Sequence, residues 1–288
     1  MGYHSAPAIY VDKVQFKVTD LQKSIQFYQE LLGFKILEQN KKQVKLTADG
    51  MTNILTLIEP ADAVPKPSRT TGLYHFALLL PKRADLALFV THLDNHNVRF
   101  GAADHLVSEA IYFEDPDGNG IEVYADTDPS TWSWQAGLVA MDTIPLDFDD
   151  LMFDIDLENQ SWKGMPDQTI IGHIHLHVSD LKAAQEFYTK GLGFNIVSRL
   201  GDSALFLSTA DYHHHIAVNI WNGPNAPRPP KNSAGLDYYR VVVPKQEMLE
   251  KILTNLAAIG TKINNKDSAI TVEDPAGNSV QLIIGTAQ

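Results

Sequence analysis

The stretch DLQKSIQFYQELLGF at residues 20–34 decides the fold, because the chain contains it twice. A closely similar stretch, DLKAAQEFYTKGLGF, occupies residues 180–194, at an offset of 160 residues. A second motif, EDPDGNGIE at residues 114–122, returns as EDPAGNSVQ at residues 273–281, at an offset of 159 residues. Two separate motifs that keep nearly the same spacing indicate that the chain is internally duplicated.

Each half of the chain divides again into two units of one pattern. A predicted strand leads into an Asp that can cap a helix, and the helix ends at a Gly. The Asp-Pro-x-Gly-Asn segments are typical of tight turns that lead into a closing strand. The pattern predicts an α+β fold of four βαβββ modules, with a connector at residues 125–168 between the halves 1–124 and 169–288. From the N-terminus, modules one to four cover about residues 9–60, 71–124, 169–222 and 235–285.

Composition and charge exclude several classes of partner. The 288 residues include 35 acidic and 23 basic side chains, so the net charge is −12, which disfavours binding to nucleic acid or to an anionic membrane. No apolar run approaches the roughly 18 residues that a membrane span needs, and no signal-peptide pattern is found. We therefore expect a cytoplasmic protein without nucleic-acid or membrane partners. The oligomeric state stays open, with a homo-oligomer as one alternative.

The residue types limit the chemistry. The chain has no cysteine, which excludes a thiolate metal site and a Cys nucleophile. It has 11 histidines, so nitrogen and oxygen ligands are the ones available to a metal.

The motifs together resemble those of the vicinal oxygen chelate superfamily, which includes glyoxalase I, bleomycin-binding proteins, fosfomycin-modifying enzymes and extradiol dioxygenases. The strings DHLVSE at residues 104–109, GHIHLHV at 172–178 and YHHH at 212–215 are most similar to the catechol-2,3-dioxygenase branch. The resemblance implies two U-shaped open sheets, each built from two modules. It also implies a metal bound by two His and one carboxylate, with open positions for substrate and O₂.

The family's ligand positions can be carried over residue by residue. In modules two and three they fall on His75, Glu122 and His173. In modules one and four the same positions hold Lys13, Tyr238 and Gln281, which do not suit Fe(II). One complete site results only if module two pairs with module three and module one with module four, so we expect that pairing. His175 shares the strand face of His173 and is the alternative ligand if the register differs.

The resemblance also implies residues that contact the substrate. Tyr112 lies ten residues before Glu122, where the family has a substrate-contacting Tyr, although a core tyrosine is an equal alternative. His214 matches the family's acid–base His, but strand parity does not choose among residues 213–215, and a solvated turn is the other interpretation. His105 lies seven residues before Tyr112, where the family often has a His about nine residues before.

The function that the resemblance implies is an extradiol, catechol 2,3-dioxygenase-like enzyme that inserts O₂ into catechol or a substituted catechol. The cofactor would be non-haem Fe(II), and Mn(II) suits the same ligands. Its partners would be a small aromatic diol and O₂. One alternative is a glyoxalase-like metal-dependent lyase or isomerase, although its fourth ligand would fall near Asn219. The other is a non-catalytic small-molecule-binding protein of the resistance type.

Overall fold

Strand, helix and three further strands follow one another four times in the computed structural model, which describes residues 2–153, 155–156, 159–266 and 269–285. Module one contains β1 (Tyr10–Lys17), α1 (Leu21–Gln26), β2 (Lys35–Gln39), β3 (Gln43–Thr47) and β4 (Leu55–Ile58). Module two contains β5 (Gly72–Leu79), α2 (Arg83–Asn95), β6 (Gly101–Asp104), β7 (Ser108–Glu114) and β8 (Gly120–Asp126).

The second half repeats this order after a connector with short elements of its own. The connector contains β9 (Trp134–Gln135), β10 (Leu138–Val139) and α3 (Phe148–Met152). Module three contains β11 (Ile170–His177), α4 (Leu181–Glu186), β12 (Asn195–Leu200), β13 (Ala204–Ser208) and β14 (Ile216–Asn219). Module four contains β15 (Gly235–Val243), α5 (Gln246–Ala258), β16 (Ile263–Lys266), β17 (Ala269–Glu273) and β18 (Ser279–Ile284).

Two eight-stranded sheets form within the described ranges, and each combines modules from both halves. The 2+3 sheet has the strand order β12-β13-β14-β11-β5-β8-β7-β6, and the 1+4 sheet has the order β16-β17-β18-β15-β1-β4-β3-β2. β5 pairs with β11 and β1 pairs with β15, both antiparallel, at the sheet centres. The α+β fold and the expected pairing are therefore present, and the sequence halves are not the structural halves.

The repeated helices begin and end alike. Asp20 caps α1 by accepting a hydrogen bond from the backbone N–H of Lys23, and Asp180 caps α4 in the same manner. Such a cap satisfies a backbone N–H that the first helical turn leaves without a partner. Each short helix then continues as a π-helical turn, over Phe27–Leu31 and Phe187–Gly191.

The two motifs of each half contact each other. The Tyr28 hydroxyl donates to Oδ2 of the buried Asp115 at 3.0 Å, and the Tyr188 hydroxyl donates to Oδ2 of the buried Asp274 at 3.0 Å. The helix of the first module in each half is thus joined to the closing turn of the second. This contact explains why the Phe-Tyr and Asp-Pro motifs recur together.

Strand alternation separates the main core from the site. Phe76, Ile121 and Ile174 belong to the main hydrophobic core, where the rings of Phe16 and Phe76 lie 5.1 Å apart between the two sheets. Their neighbours in the chain point to the other face of the 2+3 sheet, because successive side chains alternate. This second face carries the candidate site.

The connector contains short elements that the sequence pattern does not predict. It contains a two-stranded hairpin and α3, which are too short for a periodic hydrophobic pattern to predict. Its Trp132 is buried against Tyr212, and its Trp162 packs on Phe89. Within the described ranges, no helix is long and apolar enough to cross a membrane.

Candidate metal centre

Three neighbouring strands hold the candidate ligands on one face. In the 2+3 sheet β5 lies between β11 and β8, and Ala77 on β5 pairs with His173 on one side and with Glu122 on the other. His75, two residues earlier on β5, faces the same way. The register therefore places two imidazoles and one carboxylate around the small side chain of Ala77.

The three side chains form a compact cluster. One ligand atom of each of His75, Glu122 and His173 lies within 4.8 Å of the others, and all three residues are buried. Oε2 of Glu122 lies 3.0 Å from Nε2 of His173 and 2.9 Å from Nε2 of His75. The residues that the sequence predicts as ligands are thus brought together from both halves of the chain.

The charge states suit a divalent cation. Burial on its own raises the pKa of the Glu122 carboxyl group. The interactions with His173 and His75 together have a larger effect and hold that pKa well below its usual range. Burial lowers the pKa of His173 to about 4, with Glu122 opposing it in part. At neutral pH the cluster therefore offers an ionised carboxylate and a neutral imidazole at His173.

One unpartnered atom provides a further test of fit. Nε2 of His75 is buried and makes no hydrogen bond, although it lies 2.9 Å from the Glu122 carboxylate. A buried polar atom without a partner is costly. A metal ion bound by the nitrogen lone pair would remove this cost, and the set of two His and one Glu is typical of non-haem Fe(II) sites. The residues present therefore fit a divalent metal.

Tyr112 and His105 lie at the edge of the cluster. Tyr112 pairs with Glu122 across β7 and β8, and its ring centroid lies 5.6 Å from that of His75. Nε2 of His105 lies 2.6 Å from the Tyr112 hydroxyl, and Nδ1 of His105 lies 2.7 Å from the carbonyl oxygen of Asp142. Burial and then Glu122 raise the pKa of Tyr112 well above its usual value, so the phenol stays protonated.

The structure distinguishes the three consecutive histidines. The ring centroid of His214 lies 4.0 Å from that of the candidate ligand His173. His213 lies between His214 and Asp126 and bonds to both. His215 points away, with Nε2 against the carbonyl oxygen of Tyr3, and the ring of His214 lies closer to His173 than that of His213, at 4.0 Å against 6.2 Å.

His175, the alternative ligand, and Asn219, at the fourth-ligand position, both form hydrogen bonds with other side chains. His175 faces His75 across the strands, but its Nε2 accepts a hydrogen bond from Nδ2 of Asn219 at 2.9 Å. Oδ1 of Asn219 accepts from Nδ1 of His177 at 2.7 Å. The described cluster therefore consists of three residues, and His175 is not among them.

The 1+4 sheet carries different chemistry at the same register. Arg240 replaces Ala77 there and pairs with Lys13 on β1 and with Gln281 on β18. Arg240 donates two hydrogen bonds to Asp12, at 2.8 and 2.7 Å.

Lys13 and Tyr238 occupy the remaining ligand positions of this sheet. Burial has the largest effect on the pKa of Lys13 and, together with Arg240 and Lys45, lowers it to about 8. Tyr238, which lies under the Lys13 ammonium, completes a set that does not suit Fe(II).

The sequence pattern does not point to Asp126 or to its contact with His213. Asp126 lies two strand positions beyond Tyr124 and four beyond Glu122, on the same face of β8. A search of that face for polar side chains would have found it. No spacing in the sequence shows that His213, rather than a neighbour, bonds to it.

The family was identified by comparison with known proteins. The sequence model of the Glyoxalase/Bleomycin resistance protein/Dioxygenase superfamily matches residues 10–123 and 170–282. This chain belongs to that superfamily. It is 45% identical over 273 residues to a catechol-2,3-dioxygenase of Bacillus subtilis, covering 94% of this chain and 95% of the relative. It is therefore an enzyme of the catechol-2,3-dioxygenase-like type.

More distant relatives share the fold. A metallothiol transferase FosB of Staphylococcus saprophyticus is 28% identical over 120 residues, which cover 41% of this chain and 77% of that protein. A putative dioxygenase structure from Bacillus subtilis superposes with a TM-score of 0.67 at 15% identity, covering 96% of this chain and 86% of that chain. Glyoxalase I from Zea mays superposes with a TM-score of 0.59 at 15% identity, covering 96% and 92%. These structures support the fold alone.

Proposed function

We propose that this protein is an extradiol dioxygenase that uses O₂ to open the ring of catechol or a substituted catechol beside a ring hydroxyl. One observation carries the proposal: His75, Glu122 and His173 form a buried cluster in a chain 45% identical to a catechol-2,3-dioxygenase. Proteins that only bind a small molecule do not require such a ligand set.

His75, Glu122 and His173 would hold the metal, and the proposed ion is Fe(II), with Mn(II) as the alternative that the same ligands suit. When bound, the ion would lower the pKa of a catechol hydroxyl and would bring the diol and O₂ together. The single carboxylate leaves one net positive charge on a divalent ion, which a catechol monoanion would neutralise. The ligand charge therefore suits a singly ionised substrate, such as a catechol monoanion.

Tyr112 and His105 would orient the substrate. The N–H at Nδ1 of His105 donates to the Asp142 carbonyl, so Nε2 of His105 accepts from the Tyr112 hydroxyl. The oxygen of Tyr112 then keeps its lone pairs for a hydrogen bond from a catechol hydroxyl. This contact would fix the position of the ring next to the cluster.

His214 would transfer a proton from and to the substrate. Burial and then His173 and His213 hold the pKa of His214 well below its usual value, so the imidazole is neutral at pH 7. A neutral imidazole can take a proton from the diol and return it during ring opening. The product would be a ring-opened semialdehyde of the 2-hydroxymuconic type.

The glyoxalase-like alternative requires a fourth protein ligand. Asn219 lies at that position, and both ends of its amide are engaged by His175 and His177. The three-residue cluster therefore favours the dioxygenase function over the lyase or isomerase function.

The test is anaerobic reconstitution with Fe(II), followed by addition of catechol and then of air. We expect oxygen consumption and a yellow product, with Mn(II) loading as a parallel sample. Protein that contains one iron per chain and consumes no oxygen with catechol or alkylcatechols would contradict the proposal. Glu122→Gln is the matched control, because it removes the carboxylate charge with little change of shape.

A further inference from the structure

A line of hydrogen bonds leads from Asp126 on β8 to His214 beside the cluster. Oδ1 of Asp126 lies 2.9 Å from Nε2 of His213, and Nδ1 of His213 lies 2.8 Å from Nδ1 of His214. His213 is fully buried, and the Asp126 side chain is 19% exposed. The line therefore joins the two modules of the 2+3 sheet through side chains alone.

The direction of these bonds follows from the donor and acceptor chemistry of the groups. An ionised carboxylate only accepts, so Nε2 of His213 carries the proton that bonds to Asp126. In the neutral form of His213 its Nδ1 is then an acceptor, and in that case the proton between the two rings belongs to Nδ1 of His214. The remaining nitrogen of His214, Nε2, is left with its lone pair. No described residue makes a hydrogen bond to that nitrogen.

Further contacts hold the carboxylate in place. The Tyr212 hydroxyl donates to the same oxygen of Asp126 at 3.2 Å, and the Tyr124 hydroxyl lies 2.7 Å from that of Tyr212. Gly172 leaves room for Tyr124, because a Cβ at position 172 would overlap the Tyr124 hydroxyl oxygen. The carboxylate oxygen that sets the direction of the line is thus held by a second donor, the Tyr212 hydroxyl.

We propose that Asp126 and His213 are positioning residues that keep the proton of His214 on Nδ1 and leave Nε2 free to accept a proton from the substrate. This inference rests on the proposed ring-opening function, in which His214 is the acid–base residue. The general principle is that a hydrogen bond to one imidazole nitrogen decides which form the other takes. The chain uses a second histidine between the carboxylate and the acid–base histidine.

The direct test is ¹⁵N NMR of the histidine side chains in Zn(II)-substituted protein, in which the metal is diamagnetic. In the wild type we expect His214 to be protonated on Nδ1 and not on Nε2. In Asp126→Ala we expect His214 to be found partly or wholly in the other form, because His213 loses the acceptor that orients it. A wild-type His214 with its proton on Nε2 would overturn the inference.

Kinetics of the Fe(II)-loaded protein provide the second readout. We expect Asp126→Ala to lower kcat for catechol at least about tenfold, with KM and iron content changed less than about twofold. Asp126→Asn keeps an oxygen acceptor and is expected to recover a large part of the loss. Unchanged kcat in Asp126→Ala, or an equal loss in both variants accompanied by loss of iron, would contradict a positioning role.

A failure of the proposed function and a failure of this inference give different experimental results. A wild-type protein that does not open catechol would refute the proposed function, while the NMR measurement would still report the state of His214. His213→Phe, if it folds, is expected to reproduce the kinetic effect of Asp126→Ala. Normal kcat in a folded His213→Phe would overturn the inference.

Discussion

Ala77 lies at the centre of the site, although its methyl side chain cannot bind a metal or transfer a proton. It pairs with His173 and Glu122 in the 2+3 sheet, whereas Arg240 occupies the corresponding position of the 1+4 sheet and pairs with Lys13 and Gln281. A methyl group leaves space above the sheet for two ligands to approach, whereas the longer Arg240 side chain extends to Asp12. The duplicated framework therefore supports the cluster of candidate ligands in one sheet and an ion pair in the other.

Gly172 is a second residue whose small size is required. We predict that Gly172→Ala destabilises the protein by about 1–3 kcal/mol, because the added Cβ overlaps the Tyr124 ring and must displace it. Urea denaturation of the metal-free protein measures the loss. Gly101→Ala is the matched control, since its Cβ would meet Tyr112 at an ordinary 3.9 Å. Equal stability of the two variants would show that the Tyr124 ring moves without cost.

Among the elements, the π-helical turns that carry Tyr28 and Tyr188 join the two modules of each half. Asp115 also accepts from the backbone N–H groups of Asp117 and Asn119, so its buried carboxylate has several donors. The raised pKa of Asp115, caused by burial, shows that these donors do not fully offset desolvation. The Tyr28 hydroxyl is therefore a needed partner.

We predict that Tyr28→Phe costs about 1–2 kcal/mol in the free energy of unfolding, because a buried carboxylate loses one of its donors. Iron content is expected to stay unchanged, since this contact lies outside the cluster. Denaturant titration checks the stability, and Tyr10→Phe, which removes a hydroxyl from β1, serves as the control. A change below about 0.3 kcal/mol would mean that the other donors already satisfy Asp115.

The sequence predicts the central strand pairing well. The repeated motifs and the ligand spacing predict the pairing of β5 with β11, because no other pairing completes the set His75, Glu122 and His173. The hairpin of the connector and the line from Asp126 to His214 were not predicted. Two-residue strands carry no periodic pattern, and the choice of His213 as the partner of Asp126 depends on side-chain orientation.

At the scale of the whole molecule, several histidines are buried in neutral form. Burial lowers the pKa of His173 and of His177 to about 4, compared with 6.5 for a free histidine. Burial also lowers the pKa of His175 and His215. Between about pH 6.5 and pH 4 the unfolded chain therefore binds more protons than the folded chain, and stability is lost as the pH falls through this window.

We predict that the Tm of the metal-free protein falls by about 5 °C or more between pH 7.5 and pH 5.0. One fully buried histidine with this shift contributes roughly 2 kcal/mol over that interval, and a chain of this size loses about 1.5–2 °C per kcal/mol, so two or more such histidines account for the expected fall. Thermal unfolding at the two pH values, at constant ionic strength, measures the effect. A Tm that is equal or higher at pH 5.0 would contradict the neutral, buried state of these groups.

The central claim is that one metal centre is built from both halves of the chain, and metal content tests it most directly. Iron per chain is measured after anaerobic Fe(II) loading and desalting, for the wild type, His75→Ala, Glu122→Ala and His173→Ala, with Tyr238→Ala as the control from the 1+4 sheet. We predict about one iron in the wild type and the control, and below about one tenth in each ligand variant. Full iron content in folded His75→Ala or His173→Ala would contradict the claim.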